Sequence, residues 1–92
     1  MENPMNGVVV HLSKNNKAAV IACETEDFMV VDLKVPGQFA NGDPIDTRGL
    51  WFGEHGKMMN KKYGRMVEVK VEGILRDLVS ACNECDDPQL NQ

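Results

Sequence analysis

Alternation of apolar and polar residues divides the first part of the chain into three short segments with the period of a β-strand. In the first of these, Val8, Val10 and Leu12 fall on one side and are expected to face a core. Polar residues that suit tight turns separate the segments. The pattern predicts an antiparallel meander of three strands, at 6–13, 18–24 and 28–34.

The middle of the chain contains two further segments with strand character. Pro36 and Gly37 interrupt the pattern, and Phe39 is the expected apolar plug beneath the loop that follows. Segment 45–52 is a weaker strand and segment 66–73 a clear one, and a long loop over 53–65 is expected to join them.

Beyond residue 73 the apolar residues recur with the period of a helix. They form a stripe at Ile74, Leu75, Leu78, Val79 and Cys82. This predicts a short C-terminal helix over about 74–84 that caps an open end or an edge of the sheet. Residues 1–85 are therefore expected to form one domain, and residues 86–92, which include a proline and no periodicity, a disordered tail.

Five short antiparallel strands would leave two exposed edges if they formed a flat sheet. Closing the sheet into a barrel removes those edges. The expected fold class is mainly β, a small five-stranded antiparallel barrel with one C-terminal helix.

Charge and cysteine content limit the functions that this chain can have. The 92 residues carry a formal net charge of −4, which disfavours binding of duplex DNA by the whole surface. Three cysteines, an odd number, disfavour a secreted disulfide framework. No basic segment precedes an apolar one at the N-terminus, and no apolar run is long enough to cross a bilayer. We expect a cytoplasmic protein with no membrane partner.

The layout of residues 6–73 resembles the OB-fold group, and the cold-shock domain within it. The resemblance lies in the Gly7-Val8-Val9-Val10 opening, a polar turn at 13–17, Gly42-Asp43 before the fourth strand, and the long loop between the last two strands. It implies an OB-like barrel that binds single-stranded nucleic acid, and in such barrels the second and third strands and their flanking loops meet the ligand.

The second and third strands lack the aromatic side chains on which cold-shock domains stack bases. Ala19 and Ile21 stand where rings are expected, only Phe28 is aromatic, and Asp32 places a negative charge near that face. Stacking contributes about 1–3 kcal/mol per base, so any nucleic-acid binding here has to rely on another part of the surface.

The loop 53–65 is the strongest candidate for that surface because it concentrates positive charge in an acidic chain. Lys57, Lys61, Lys62 and Arg65 are expected to contact phosphates and Tyr63 to stack on a base. Trp51 and Phe52 stand at the base of the loop and complete the candidate site. The alternative interpretation is a solvated loop whose lysines keep the rim of the barrel soluble.

No motif for catalysis or for a resident cofactor is apparent. Cys82 and Cys85 form a single C-x-x-C, whereas a structural zinc site needs four ligands, and the spacing of Cys23, His11 and His55 does not bring them to it. A redox role needs the motif at the start of a helix, and here it falls at the end. We therefore expect no enzyme, no metal and no cofactor, with Cys82 in the core and Cys85 a bystander.

Two functions remain as hypotheses. The first is a domain that binds single-stranded RNA or DNA through the basic loop. The second is a protein-interaction or self-associating module, favoured by the missing rings, the acidic surface and the adjacent Met58 and Met59.

Overall fold

Six antiparallel strands close into a small barrel, and one short helix follows them. The computed structural model describes residues 4–90. The strands are β1 Asn6–Leu12, β2 Ala18–Cys23, β3 Phe28–Leu33, β4 Pro44–Asp46, β5 His55–Asn60 and β6 Arg65–Leu75, and the helix is α1 Leu78–Cys85. Around the barrel the strands follow the order β1-β2-β3-β6-β5-β4, and β4 pairs with β1 to close it.

The expected class, an antiparallel barrel with a C-terminal helix, is confirmed, but the barrel has six strands rather than five. The additional strand, β5, lies within the segment 53–65 that was expected to be a loop. Its inward positions are Gly56, Met58 and Asn60, and none of these residue types favours a strand. The segment pairs with β6 along its whole length because the neighbouring strand is strongly β-forming.

The fourth strand is shorter than the segment 45–52 that was predicted for it. β4 ends at Asp46, whose carboxylate accepts the main-chain N–H of Arg48 at 2.9 Å. Arg48 and Gly49 both have positive φ, 54° and 73°. That left-handed pair turns the chain away from the sheet and cannot continue a strand.

The interior of the barrel is filled by side chains from every strand. Phe39, expected as a plug in the loop after β3, is only 3% exposed and belongs to this core. The buried members are Val9, Ala19, Ile21, Cys23, Met29, Val31, Leu33, Phe39, Ile45, Met58, Val67, Val69 and Val71.

A β-bulge reverses the expected facing of β1. Pairing with β2 shifts between Val9 and His11, so Val10 is an extra residue without a partner. Val9 is therefore buried, whereas Val8 and Val10 are 43% and 41% exposed. The strict alternation read from the sequence assigned these two valines to the core, which is wrong because the bulge cannot be seen in the sequence.

The helix begins three to four residues later than expected, and it buries a different face. Asp77 is the N-cap and accepts the Ser80 N–H at 2.8 Å. Ala81 and Cys85 are buried, whereas Leu78 and Val79, members of the predicted stripe, are 42% and 67% exposed. The stripe was wrong because its first two residues, at positions 74 and 75, still pair with β3 as part of β6.

The helix covers the outer face of the barrel and not an end or an edge of it. Ala81 and Cys85 form a second apolar cluster with Ala18, Val20 and Val30, the outward residues of β2 and β3. Gly73 in β6 allows this approach, since a Cβ there would lie 2.7 Å from a carboxylate oxygen of Glu84 on the helix. We call this covered surface the helix-covered face.

One end of the barrel is closed by a buried polar contact between the loop after β3 and the end of β5. The amide of Asn60 donates to the Asp43 carboxylate at 2.8 Å and to the Gln38 carbonyl at 3.2 Å. Asp43 also accepts the Ala40 N–H at 2.9 Å. Both Asp43 and Asn60 are essentially inaccessible to water, so these hydrogen bonds hold the loop over the core.

The tail expected over 86–92 lies partly outside the described residues, which end at 90. Within the described part, the Leu90 N–H donates to the Asp87 carbonyl at 3.0 Å, and Leu90 packs against the helix-covered face. Disorder of residues 91 and 92 stays a prediction.

The facing of α1 can be tested by two substitutions. Ala81→Leu adds volume to a fully buried position and should lower the free energy of unfolding by about 1–3 kcal/mol. Val79→Ser, at a position 67% exposed, should change it by less than about 0.5 kcal/mol. Urea unfolding followed by Trp51 fluorescence measures both. A larger loss of unfolding free energy for Val79→Ser than for Ala81→Leu would contradict this placement of the helix.

Candidate functional site

Most of the cations predicted to form a site lie at the turn between β5 and β6. Lys61, Lys62 and Tyr63 belong to the four-residue turn 61–64, and Arg65 begins β6 opposite Asn60. The turn is tight because Gly64 adopts a φ of 65°, which only glycine does without strain. This segment is therefore a hairpin tip on a rigid strand pair.

At the tip, two cations flank one exposed ring. The Lys62 ammonium lies 5.5 Å and the Arg65 guanidinium 5.7 Å from the centre of the Tyr63 ring, both within cation–π range. Tyr63 is 59% exposed. The ring lies near two positive groups but still presents a large surface to solvent.

Lys61 points away from this ring, across the outside of β4. Its ammonium donates to the Asn6 side-chain oxygen at 2.8 Å. It is also near Glu24, whose pKa is lowered mainly by the N–H of Met5 and less by the Lys61 charge. Lys61 is thus partly engaged in holding β1 to the hairpin.

The two aromatic residues predicted for the base of the loop lie far from the tip. Phe52 precedes β5 by three residues and Tyr63 follows it by three, so the six-residue strand, about 20 Å long, separates them. Phe52 is 63% exposed, whereas Trp51 is partly buried against the barrel core. The structure brings Tyr63 together with Lys62 and Arg65 but does not bring Trp51 or Phe52 to them.

Lys57 lies on the outward face of β5, opposite Glu68 of β6, and borders a shallow groove. The groove runs across the outside of β3, β6 and β5 and has a volume of about 640 Å³. We call it the lysine groove, and its charged lining consists of Lys17, Lys34, Lys57, Lys70, Asp32, Glu68 and the titratable His55.

Ion pairs neutralise most of the charge in the lysine groove. Three pairs occur, Lys17–Asp32 at 3.0 Å, Lys34–Glu68 at 3.4 Å and Lys70–Glu72 at 3.3 Å. Lys57 forms no ion pair with any residue in the described range 4–90, because the acid opposite it already pairs with Lys34. The sequence did not predict the groove because its four lysines come from four separate segments. Two of them, Lys57 and Lys70, occupy outward strand positions, but their proximity depends on how the strands pair.

The adjacent methionines of β5 face opposite sides of the barrel wall. Met58 is fully buried in the core, and Met59 is half-buried on the outside, opposite Met66. Met66 is 38% exposed. Met58 and Met59 therefore do not form one exposed pair, and Met59 instead neighbours Met66 across the hairpin, between Lys57 and the hairpin tip.

A second cluster of polar side chains joins the C-terminal end of α1 to β1. The Nε2 atom of His11 lies 3.0 Å from Oδ1 and 3.2 Å from Oδ2 of Asp86. One ligand-type atom from each of His11, Cys85 and Asp86 lies within 4.8 Å of the others. Sequence spacing could not show this, since residues 11 and 86 are 75 positions apart.

Burial and neighbouring acids keep the cysteines in the thiol form. Burial raises the pKa of Cys85 to about 12, with a further contribution from the Asp86 charge. Burial likewise raises the pKa of Cys23 to about 11. Cys85 is fully buried and Cys82 only partly, so the expected roles of core residue and bystander are exchanged.

No protein-family model, curated protein or solved structure matches this chain in the comparisons made with each. Within residues 4–90, no helix has the length and apolar character needed to cross a membrane.

Thiol labelling should follow the burial of the three cysteines. In chelator-containing buffer at pH 8, a pKa of about 11 or 12 leaves at most about one thiolate in a thousand at Cys23 and Cys85. The partly exposed Cys82, whose pKa is also raised by burial, should react with iodoacetamide first. Labelling should accelerate as the pH rises toward 11.

Peptide mass spectrometry after short exposure measures the order of labelling, and urea-unfolded protein, in which all three thiols are equivalent, is the control. Labelling of Cys85 as fast as that of Cys82 in the folded protein would contradict the described burial.

Proposed function

We propose that this protein is a small non-enzymatic binding domain for single-stranded nucleic acid, which it holds along the outer face of the β5–β6 hairpin. One observation carries the proposal. Lys57, Lys61, Lys62 and Arg65 form no ion pair with any residue between 4 and 90, although the chain as a whole carries a net charge of −4.

Phosphates would meet unpaired cations along one line of the hairpin. Lys57 lies at the lysine groove, Lys62 and Arg65 at the hairpin tip, and Met59 and Met66 between them. Three residues of β5 separate Lys57 from the tip, a distance of about 10 Å that a short stretch of nucleotides spans. The acids of the groove are held by other lysines, so they oppose a phosphate less than free carboxylates would.

Tyr63 is the stacking group that the proposal requires. Its ring is 59% exposed and lies beside two cations that would contact the neighbouring phosphates. A base stacked on one ring gains about 1–3 kcal/mol. Phe52, which is 63% exposed at the other end of β5, is the further ring available to a longer strand.

The OB-like resemblance supports the hairpin as the site, although here the helix covers part of the barrel surface that OB folds leave to the ligand. In OB folds the ligand meets the face of the second and third strands and the loops beside it, including that between the last two strands. Here α1 covers the outward residues Ala18, Val20 and Val30 of β2 and β3. The connection between the last two strands therefore carries the proposed binding without that face.

Removal of three cations from the hairpin should abolish most of the binding. The variant Lys57→Gln/Lys62→Gln/Arg65→Gln should bind labelled single-stranded RNA or DNA about tenfold or more weakly at about 50 mM salt. For the wild type, log K against log salt concentration should fall with a slope of about −2, since each phosphate that one of these three cations neutralises contributes roughly 0.7 on a single strand. Fluorescence anisotropy measures both quantities.

The matched control is Lys14→Gln/Arg48→Gln/Arg76→Gln, which removes the same charge from exposed cations elsewhere on the barrel. It should retain most of the affinity. Equal losses in the two triple variants would show that net charge and not the hairpin governs binding. Absence of wild-type binding at low salt would refute the proposed function.

A protein-interaction module is the second candidate, and one observation favours it. Leu78 and Val79 lie side by side in the first turn of α1 and are 42% and 67% exposed. Adjacent exposed aliphatic side chains on a helix suit contact with a protein partner or a second copy. The closed barrel has no open edge between β1 and β4, so association would use such side chains and not strand pairing.

Sedimentation velocity distinguishes this candidate. A self-associating protein should form a dimer that becomes monomeric in Leu78→Ser/Val79→Ser, because the substitutions remove exposed apolar surface without touching the core. A wild-type monomer at all concentrations would count against self-association.

A further inference from the structure

The C-terminal end of α1 contacts β1 through an imidazole, a carboxylate and a thiol. His11 is on the outward face of β1, Asp86 is the C-cap of the helix, and Cys85 is its last residue. The imidazole and the carboxylate are 3.0 Å apart, and the thiol lies beneath them, within 4.8 Å of both. This arrangement shares no residue with the hairpin, and β4 lies between β1 and β5.

We propose that this cluster is a zinc site in which His11, Cys85 and Asp86 are ligands and Cys82 completes the coordination. Thiolate, imidazole and carboxylate are the three ligand types that zinc takes in proteins, four at a time and tetrahedrally. Magnesium and calcium prefer oxygen ligands alone, so the sulfur disfavours them.

The distances fit a tetrahedral centre after a small adjustment. Zinc bonds of about 2.0 Å to nitrogen or oxygen and about 2.3 Å to sulfur place neighbouring ligand atoms roughly 3.3–3.8 Å apart. The His11–Asp86 separation of 3.0 Å is already close to this, and the nitrogen and the oxygen have to approach the sulfur by about 1 Å. Rotation of the exposed carboxylate and of the partly exposed imidazole provides that movement.

Cys82 is the further ligand that the same helix offers for the fourth bond, although its sulfur lies outside the present cluster of His11, Cys85 and Asp86. It precedes Cys85 by one helical turn, and residues three apart on a helix are neighbours. Pairs with this spacing chelate a single metal from one helix in other proteins. Its side chain is partly exposed, so its rotamer can turn toward Cys85 without opening the core.

The helix itself favours a cation at this point. α1 ends at Cys85, and its last carbonyl groups give its C-terminus a partial negative charge. No basic side chain occupies its last turn, so a cation bound there would be favoured by this charge. The direct contact between His11 and Asp86 can hold the two side chains together without any metal, and this is the alternative that the metal titration has to exclude.

Metal at this site would tie α1 to the barrel. The ligands connect residue 11 with residues 82–86, and between them lies the helix-covered face. An ion that binds the folded state alone raises the stability in proportion to the logarithm of its concentration. The midpoint of thermal unfolding should therefore rise with added zinc.

The full chain, freed of metal by a chelator and then exchanged into clean buffer, is titrated with Co²⁺ and then with Zn²⁺. We expect one Co²⁺ per chain, with the d–d absorption of a tetrahedral centre and a thiolate-to-cobalt charge-transfer band, and displacement by Zn²⁺. His11→Asn and Asp86→Asn, at exposed or partly exposed positions, should each weaken binding by about 100-fold or more. Cys82→Ser should weaken it by at least about tenfold.

The chain supplies matched controls, since His55 and Cys23 are its remaining histidine and cysteine. His55→Asn and Cys23→Ala should bind Co²⁺ as the wild type does. Cys85→Ser is checked for folding by circular dichroism because that residue is fully buried. The site would be overturned if His11→Asn and Asp86→Asn bound Co²⁺ as tightly as the wild type. It would also be overturned if bound Co²⁺ gave no charge-transfer band.

Discussion

Closure of the barrel depends on β4, a strand of only three residues. β4, Pro44–Asp46, is the only strand in the described structure that joins β1 to β5, and it pairs with both. On the preceding residue, the Asp43 carboxylate binds the Asn60 amide and so connects the entry to β4 with the end of β5. A three-residue strand offers few ladder hydrogen bonds, so the buried side-chain contact beside it has a large share in keeping the two halves of the sheet together.

The closed barrel has an outer surface as well as a core, and the two proposals use different parts of it. The outward residues Ala18, Val20 and Val30 of β2 and β3 are apolar, and α1 covers them. The outward residues of β5 and of the first half of β6 are methionines or have charged or imidazole side chains, and they border the open lysine groove or the hairpin tip. This division lets the C-terminal helix and the basic hairpin coexist, because the helix occupies an apolar face and the cations lie on a face that stays open.

The sequence predicted the first three strands, the last strand and the presence of a helix because these segments combine clear periodicity with suitable residue types. It did not predict β5, whose inward side chains at 56, 58 and 60 are a glycine, a methionine and an asparagine. For the candidate site, the local group of Lys62, Tyr63 and Arg65 was found, since the three are adjacent in the chain. The lysine groove and the approach of His11 to Cys85 depend on strand order and bulge position, which no local pattern contains.

The position of α1 also sets an order of events during synthesis. Val20 of β2 faces outward and is covered only when Ala81 and Cys85 pack on it, about 60 residues later in the chain. At the usual rate of about 5–20 residues per second, the interval is on the order of 3–12 s. During that time the nascent chain presents apolar side chains that the finished protein hides. The ribosome-bound chain is consequently the form most exposed to chaperones and to pairing with a neighbouring copy.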